Sequence, residues 1–171
     1  IAVLEADSGC PRVCAQWRGH VDHDILASRS VAVARWFNNA LLVIESNTFE
    51  TADYGGSSDS NLFILKRLAD SYPNVYRRES FDSLTHERSV RVGFHTNRST
   101  KAVREGSYVE RDPEACNELL TYEQSARGVY AAKEGKHDDI LMTRAIALYV
   151  IRSGEQLPPR LPQTFRQRQH W

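Results

Sequence analysis

Residues Ala40–Ser46, "ALLVIES", decide how the chain is to be read. Four aliphatic residues in succession, Leu41-Leu42-Val43-Ile44, leave no polar position at a period of two. Both faces of such a strand are apolar, as in a strand covered by helices from both sides. The run ends in a carboxylate, Glu45. In open α/β sheets ligands collect at the carboxyl ends of strands. Glu45 is therefore a candidate binding group, or simply the point where the strand meets water.

Working outward, "IAVLEA" at the start is a short strand, and "SGCP" is a turn. "RVCAQWRG" alternates Val13, Ala15 and Trp17 against Arg12, Gln16 and Arg18, which predicts a second strand hairpinned to the first. Asp22 or Asp24 offers an N-cap. "ILASRSVAVARWFNN" then places Ile25, Leu26, Ala32, Val33 and Trp36 at helical spacing, with Asn38 and Asn39 ending the helix. After the central strand, "NTFETADYGGSSDSN" is a polar loop. It lacks the lysine of a phosphate loop, so no ATP site is read there. "NLFILKRLADSYP" is an amphipathic helix stopped by Pro73. "NVYRRES" is a strand, and "HERSVRVGFHTNRST" is loop-like and basic, with a helix beginning near Ser99 or Thr100. "SYVERD" is a strand, "PEACNELLTYEQ" a helix or strand, and 128–135 a loop. The alternation of strands and helices predicts an α/β fold with a mixed sheet.

The last long helix follows "GKHDDILMTRAIALYV", residues 135–150. Between Ile140 and Ile151 only Thr143 and Arg144 are strongly polar, and a helix apolar on nearly every face is buried. At its mouth stand His137, Asp138 and Asp139. One aspartate is explained by capping, since a helix N-terminus favours negative charge by about 0.3–1 kcal/mol. Two adjacent carboxylates repel each other, and a divalent cation would remove that repulsion. Together with Glu45 they form an oxygen-only donor set, which suits Mg²⁺ or Mn²⁺ and disfavours zinc. Two such ions about 3.5–4 Å apart activate water and stabilise the leaving oxygen in phosphodiester cleavage. His137 either orients a ligand or water, or is a surface side chain.

The bulk composition is that of one globular domain: 171 residues, 41% apolar, 26% charged. With zero formal net charge, no global field marks a polyanionic partner. Local basic clusters remain: Lys66 with Arg67, Arg77 with Arg78, and Arg88, Arg91, Arg98, Lys101 and Arg104. Tyr76, Phe94 and His95 interleave with them. They fit a groove that tracks phosphates, with Lys66, Arg67, Arg77, Arg78, Arg98 and Lys101 as the named candidates, and equally a solvated face. Cys10, Cys14 and Cys116 have no zinc spacing and are read as free thiols. No apolar run is long enough for a membrane span. The tail "LPPRLPQTFRQRQHW" holds three of the six prolines and is basic, so it is read as an extended arm. The domain proper is placed at 1–152 and the tail at 153–171.

"WRGHVDHDILASRSVAVARWFNNALLVIESNT", followed much later by "GKHDDILMTRAIAL", resembles the nuclease domain of the large terminase subunit of tailed bacteriophages. "GFHTNRSTK" and "SYVERDPEACNELLTYE" resemble the middle section of that family. The resemblance implies a ribonuclease H-like fold, a mixed sheet of five or more strands with helices on both faces. It implies a Mg²⁺- or Mn²⁺-dependent endonuclease, with two ions in the complete site, that cuts concatemeric double-stranded DNA when packaging starts and stops. Glu45 matches the family's acidic strand end, and Asp139 or its neighbour Asp138 matches the acidic helix start. Implied partners are DNA, the portal protein and the small terminase subunit, in the host cell cytoplasm. The family's first catalytic aspartate lies on a strand ahead of "IAVLEA". Asp7 falls in the turn after it and is a poor substitute. That aspartate and a packaging ATPase domain are expected upstream of Ile1. The family's longer helix between "TNRSTKAV" and "REGSYVERD" is nearly missing. The same fold also carries Holliday-junction resolvases and integrases, and without its first aspartate it would serve as a DNA- or portal-docking module.

Overall fold

The computed structural model describes residues 1–6, 10–47, 58–81, 86–96, 108–124, 130–154 and 156. The fold is mixed α/β. Among the described residues there are four helices, α1 (His23–Trp36), α2 (Ser58–Ser71), α3 (Pro113–Leu120) and α4 (Asp139–Ser153). Three two-stranded antiparallel ladders accompany them: β1 (Ala2–Glu5) with β2 (Arg12–Gln16), β3 (Arg77–Phe81) with β4 (Arg88–Val92), and β5 (Tyr122–Gln124) with β6 (Tyr130–Ala132). Parallel bridges Leu42–Val75, Glu45–Phe94 and Arg12–Val109 join them to the remaining extended segments.

The segment 41–46 organises the interior. The backbone N–H of Leu42 donates to the Asn74 carbonyl, Tyr76 donates to the Leu42 carbonyl, Phe94 to Ile44 and Ser46 to Phe94, at 2.7–2.9 Å. All these bonds use even-numbered residues, so one edge of the segment is paired first with 74–76 and then with 93–94. Its two faces meet two cores. Leu42 and Ile44 pack on Val31, Ala34, Leu68, Tyr72 and Val75 from α1, α2 and the 72–75 turn. Leu41 and Val43, with Ile146 of α4, pack on Tyr76, Phe94 and Val150. The unbroken aliphatic run thus serves helices on both sides.

Gly93 makes the second half of this pairing possible. Its φ is +93°, and a Cβ there would lie 3.0 Å from both the Ile44 carbonyl oxygen and the Ser46 Cβ. Only glycine takes this backbone conformation and this approach without strain.

Several local expectations need correcting. The buried stripe of α1 is Ala27, Ser30, Val31 and Ala34, whereas Trp36 is 85% exposed and Ile25 is exposed. Small residues at i, i+3, i+4 and i+7 let α1 lie close to the segment, and the bulky side chains fall off that stripe. Residues 88–92, read as loop, form β4, because Val90 and Val92 alternate at the period of a strand. Tyr130–Ala132 is β6 within the stretch 128–135 read as loop. "SYVERD" contributes only the Val109 bridge, and "PEACNELLTYEQ" divides into α3 and β5.

Helix ends follow their sequence signals more closely. Asn38 and Asn39 take left-handed φ values of 56° and 54° after α1. α2 stops at Ser71, just before Pro73. Asp112 caps α3 by accepting from the Glu114 N–H at 3.0 Å, with Pro113 in the first turn. α4 runs into the stretch 153–171 as far as Ser153 and closes on Gly154 at φ +66°. Gln156 accepts from the Arg77 N–H at 2.8 Å, and the tail beyond it lies outside the described residues. Cys14 and Cys116 are free thiols. Among the described residues no helix is long and apolar enough to cross a membrane.

Candidate functional site

Glu45 is exposed at the carboxyl end of the central segment, bridged to Phe94. Side chains alternate along an extended backbone, so Glu45 continues the face of Leu41 and Val43, the side on which α4 packs. Ser46 turns the other way and is wholly buried. Its hydroxyl donates to the Phe94 carbonyl at 3.2 Å and accepts from the Arg78 guanidinium at 2.7 Å. Asn47 pins the next residues: its Oδ1 accepts from the Thr96 N–H at 2.7 Å, and its amide donates to the Thr96 carbonyl.

Asp138 and Asp139 open α4, with Asp138 half-buried and Asp139 and His137 exposed. Asp138 stands at the N-cap but makes no side-chain cap bond. The third-position N–H, on Leu141, instead donates to Oε2 of Glu118 at 2.8 Å. Glu118 comes from α3 and is 8% exposed, and its Oε1 has no hydrogen-bond partner among the described residues. Capping therefore does not account for either aspartate. Asp138 and Asp139 stand at the mouth of α4, and the carboxylate that does the capping, Glu118, was invisible in the sequence because it lies on another helix.

Further along α4, Arg144 is 1% exposed, the most deeply buried charge described. Its Nε donates to Glu110 Oε2 at 2.8 Å, one terminal nitrogen donates to the Gln16 side-chain oxygen, and Asp112 Oδ2 lies 3.9 Å away. Glu110 also accepts from the N–H groups of Arg111 and Asp112 at 2.9 and 3.0 Å. Burial alone would raise its pKa, but the bonds from Arg144 and the two N–H groups outweigh burial and hold it below the ordinary value. Beside it the Tyr108 phenol is pushed up to about 12, by burial first and by the Glu110 charge second. This cluster ties α4 to β2 and to the segment ahead of α3.

The basic candidates divide. Lys66 and Arg67 are exposed between the buried Leu65 and Leu68 of α2, on its outer face. Arg77 is exposed at the start of β3, and Arg78 reaches Ser46. The ladder sets Arg78 directly opposite Arg91. Arg98 and Lys101 lie outside the described residues, as does Asp7.

Phe94, beside Glu45, meets the Tyr149 ring edge-on at 5.3 Å, and Tyr149 is in the third turn after Asp139. Among the described residues no three His, Cys, Asp or Glu side chains gather closely enough to hold a metal ion. Glu45, Asp138 and Asp139 are nonetheless the right chemistry for a hard cation, since all are oxygen donors and none is committed to an ion pair or a cap among the described residues. Compared with protein families, with curated proteins and with solved structures, the chain matches none.

Proposed function

We propose that the chain is a Mg²⁺- or Mn²⁺-dependent DNA endonuclease domain of the phage large-terminase type, with a ribonuclease H-like fold, acting on concatemeric double-stranded DNA in the host cytoplasm. The observation that carries the proposal is the pair of uncommitted carboxylate groups on one side of the central segment. Glu45 continues the face that packs on α4, and Asp138 and Asp139 stand at the mouth of α4 with the cap supplied by Glu118. Leu41, Val43 and Ile146 share a core. From Ile146 back to Asp139 is seven residues, about 10 Å of helix. From Val43 on to Glu45 is two residues, about 7 Å of strand. In this proposal both acidic groups lie at the same end of that shared core.

In this reading Glu45 and Asp139 hold the metal, Asp138 assists, and His137 orients a ligand or water. When bound, the ions supply Lewis acidity and an activated water for phosphodiester hydrolysis. Lys66, Arg67, Arg77, Arg78, Arg98 and Lys101 are the candidate phosphate contacts. The portal protein, the small terminase subunit and a packaging ATPase domain belong to the same proposal as partners.

Plasmid nicking in Mn²⁺ is the test. Glu45→Ala and Asp139→Ala should each abolish nicking while circular dichroism stays that of the parent chain. Undiminished nicking in both variants rejects the assignment. DNA binding without any Mn²⁺ response would instead support a docking module.

A further inference from the structure

We infer that Glu118 is a positioning residue for the carboxylates at the mouth of α4, holding the first turn of that helix so that Asp138 and Asp139 remain available to a divalent cation. The inference rests on the nuclease reading of those aspartates and adds a residue that neither the motif nor its spacing identifies.

The first N–H groups of a helix have no partner within it. The usual solution is an N-cap side chain that accepts from the second or third of them, and aspartate is among the best residues for this. Asp138 occupies that place and does not do it. Glu118 reaches across from α3 and takes the Leu141 N–H at 2.8 Å, the bond an Asp138 cap would have made. The cap and the candidate ligand are thereby separated onto two residues.

Glu118 is itself firmly placed. It is 8% exposed, and Ala115, one turn earlier on α3, is 1% exposed. α3 is fixed at its start by the Asp112 cap, and Asp112 lies beside the buried Arg144 of α4. The two helices are thus joined at two heights, by Arg144 near the α3 N-terminus and by Glu118 at the α4 N-terminus. The second oxygen of Glu118, Oε1, is buried with no hydrogen-bond partner among the described residues. A buried acceptor left unfilled is costly.

Two mild substitutions separate the possible roles. Glu118→Gln keeps an oxygen of the same reach for the Leu141 N–H but removes the charge. Glu118→Asp keeps the charge but draws it back by one methylene. The measurement is the Mn²⁺ dissociation constant of the full 171-residue chain by isothermal titration. Loss of groups that orient metal ligands typically weakens affinity by about 10–100-fold. A positioning role predicts a loss in that range for Glu118→Asp and at most about a threefold change for Glu118→Gln. The reverse pattern would make Glu118 a charge contributor or ligand and overturn the positioning role. Equal affinities in all three chains would overturn it as well. Asp139→Ala, titrated alongside, tells the two ideas apart. If it loses Mn²⁺ while the Glu118 variants do not, only the present inference fails. If the parent chain takes up no Mn²⁺, or Asp139→Ala binds like the parent, the site reading itself fails.

Discussion

α4 carries charge at its mouth, at Arg144 and at Arg152 in its last turn, and the first two are treated in opposite ways. At Arg144 the charge is buried and surrounded by Glu110, Gln16 and Asp112, with Glu110 further held by two backbone N–H groups. At the helix mouth Asp138 and Asp139 are more exposed, and Asp138 leaves its cap position to Glu118. A buried charge persists only where partners offset its desolvation. Carboxylates left uncommitted at an element end, with the local structural work done by another residue, are available to something outside the chain. The same helix thus separates a clamp from a candidate site.

Breaking the clamp should have the largest effect on stability. Arg144→Leu leaves Glu110 buried without its cation, a change that costs about 3–5 kcal/mol in comparable pairs. Chemical denaturation should register it as a large drop in midpoint, and an unchanged midpoint would deny the clamp its role. The pH dependence has a definite sign. Glu110 is held below its ordinary value, so it contributes stability above the unfolded pKa, near 4.5, and loses it as pH falls through the lower folded value. That acid-side loss should be weaker in Glu110→Gln. Tyr108 behaves oppositely: its stability contribution is present below pH 10 and lost as pH rises through about 12.

Gly93→Ala comes next in size. A Cβ would meet the Ile44 carbonyl and the Ser46 side chain at 3.0 Å from a backbone at positive φ. The substitution should destabilise by more than about 1 kcal/mol, read as a lower thermal midpoint, and should loosen the pairing that ends at Glu45.

The smallest effect sharpens the contrast. Removing a working N-cap aspartate costs about 1 kcal/mol. Because Asp138 makes no cap bond, Asp138→Ala should change folding stability by less than about 0.5 kcal/mol. A loss of a full kilocalorie or more in denaturant titration would mean that Asp138 caps the helix after all.

How much of this was legible in the residues varies with the range of the interaction. The two-sided burial of 41–44 was readable because four aliphatic residues in a row serve two cores, but the expected strand is reduced to the isolated bridges at Leu42 and Glu45. The Asn38-Asn39 exit and the stop at Pro73 were readable because their chemistry is local. The α1 face was misread by weighting bulk over period: Trp36 and Ile25 looked like core, while Ala27, Ser30, Val31 and Ala34 are the stripe that packs. β4 was hidden by Arg88, Ser89 and Arg91 around its valines, and β6 by the glycine at 135 and the glycine at 128. Arg144 was visible as an odd polar residue in a buried helix, but its partner Glu110 is 34 positions away and Gln16 is 128 away. Glu118 left no sequence signal at all, since a cap supplied from another helix depends on how the two pack.

The central claim is that Glu45 and Asp139 act on one cation, and a double-mutant cycle on the Mn²⁺ dissociation constant tests it most directly. Groups sharing a ligand are coupled by about 0.5–3 kcal/mol, whereas independent sites add to within about 0.3–0.5 kcal/mol. The account predicts that Glu45→Ala and Asp139→Ala each weaken Mn²⁺ and that the double variant is little worse than either alone. Additive losses, or a Glu45→Ala chain that binds Mn²⁺ as tightly as the parent, would contradict it.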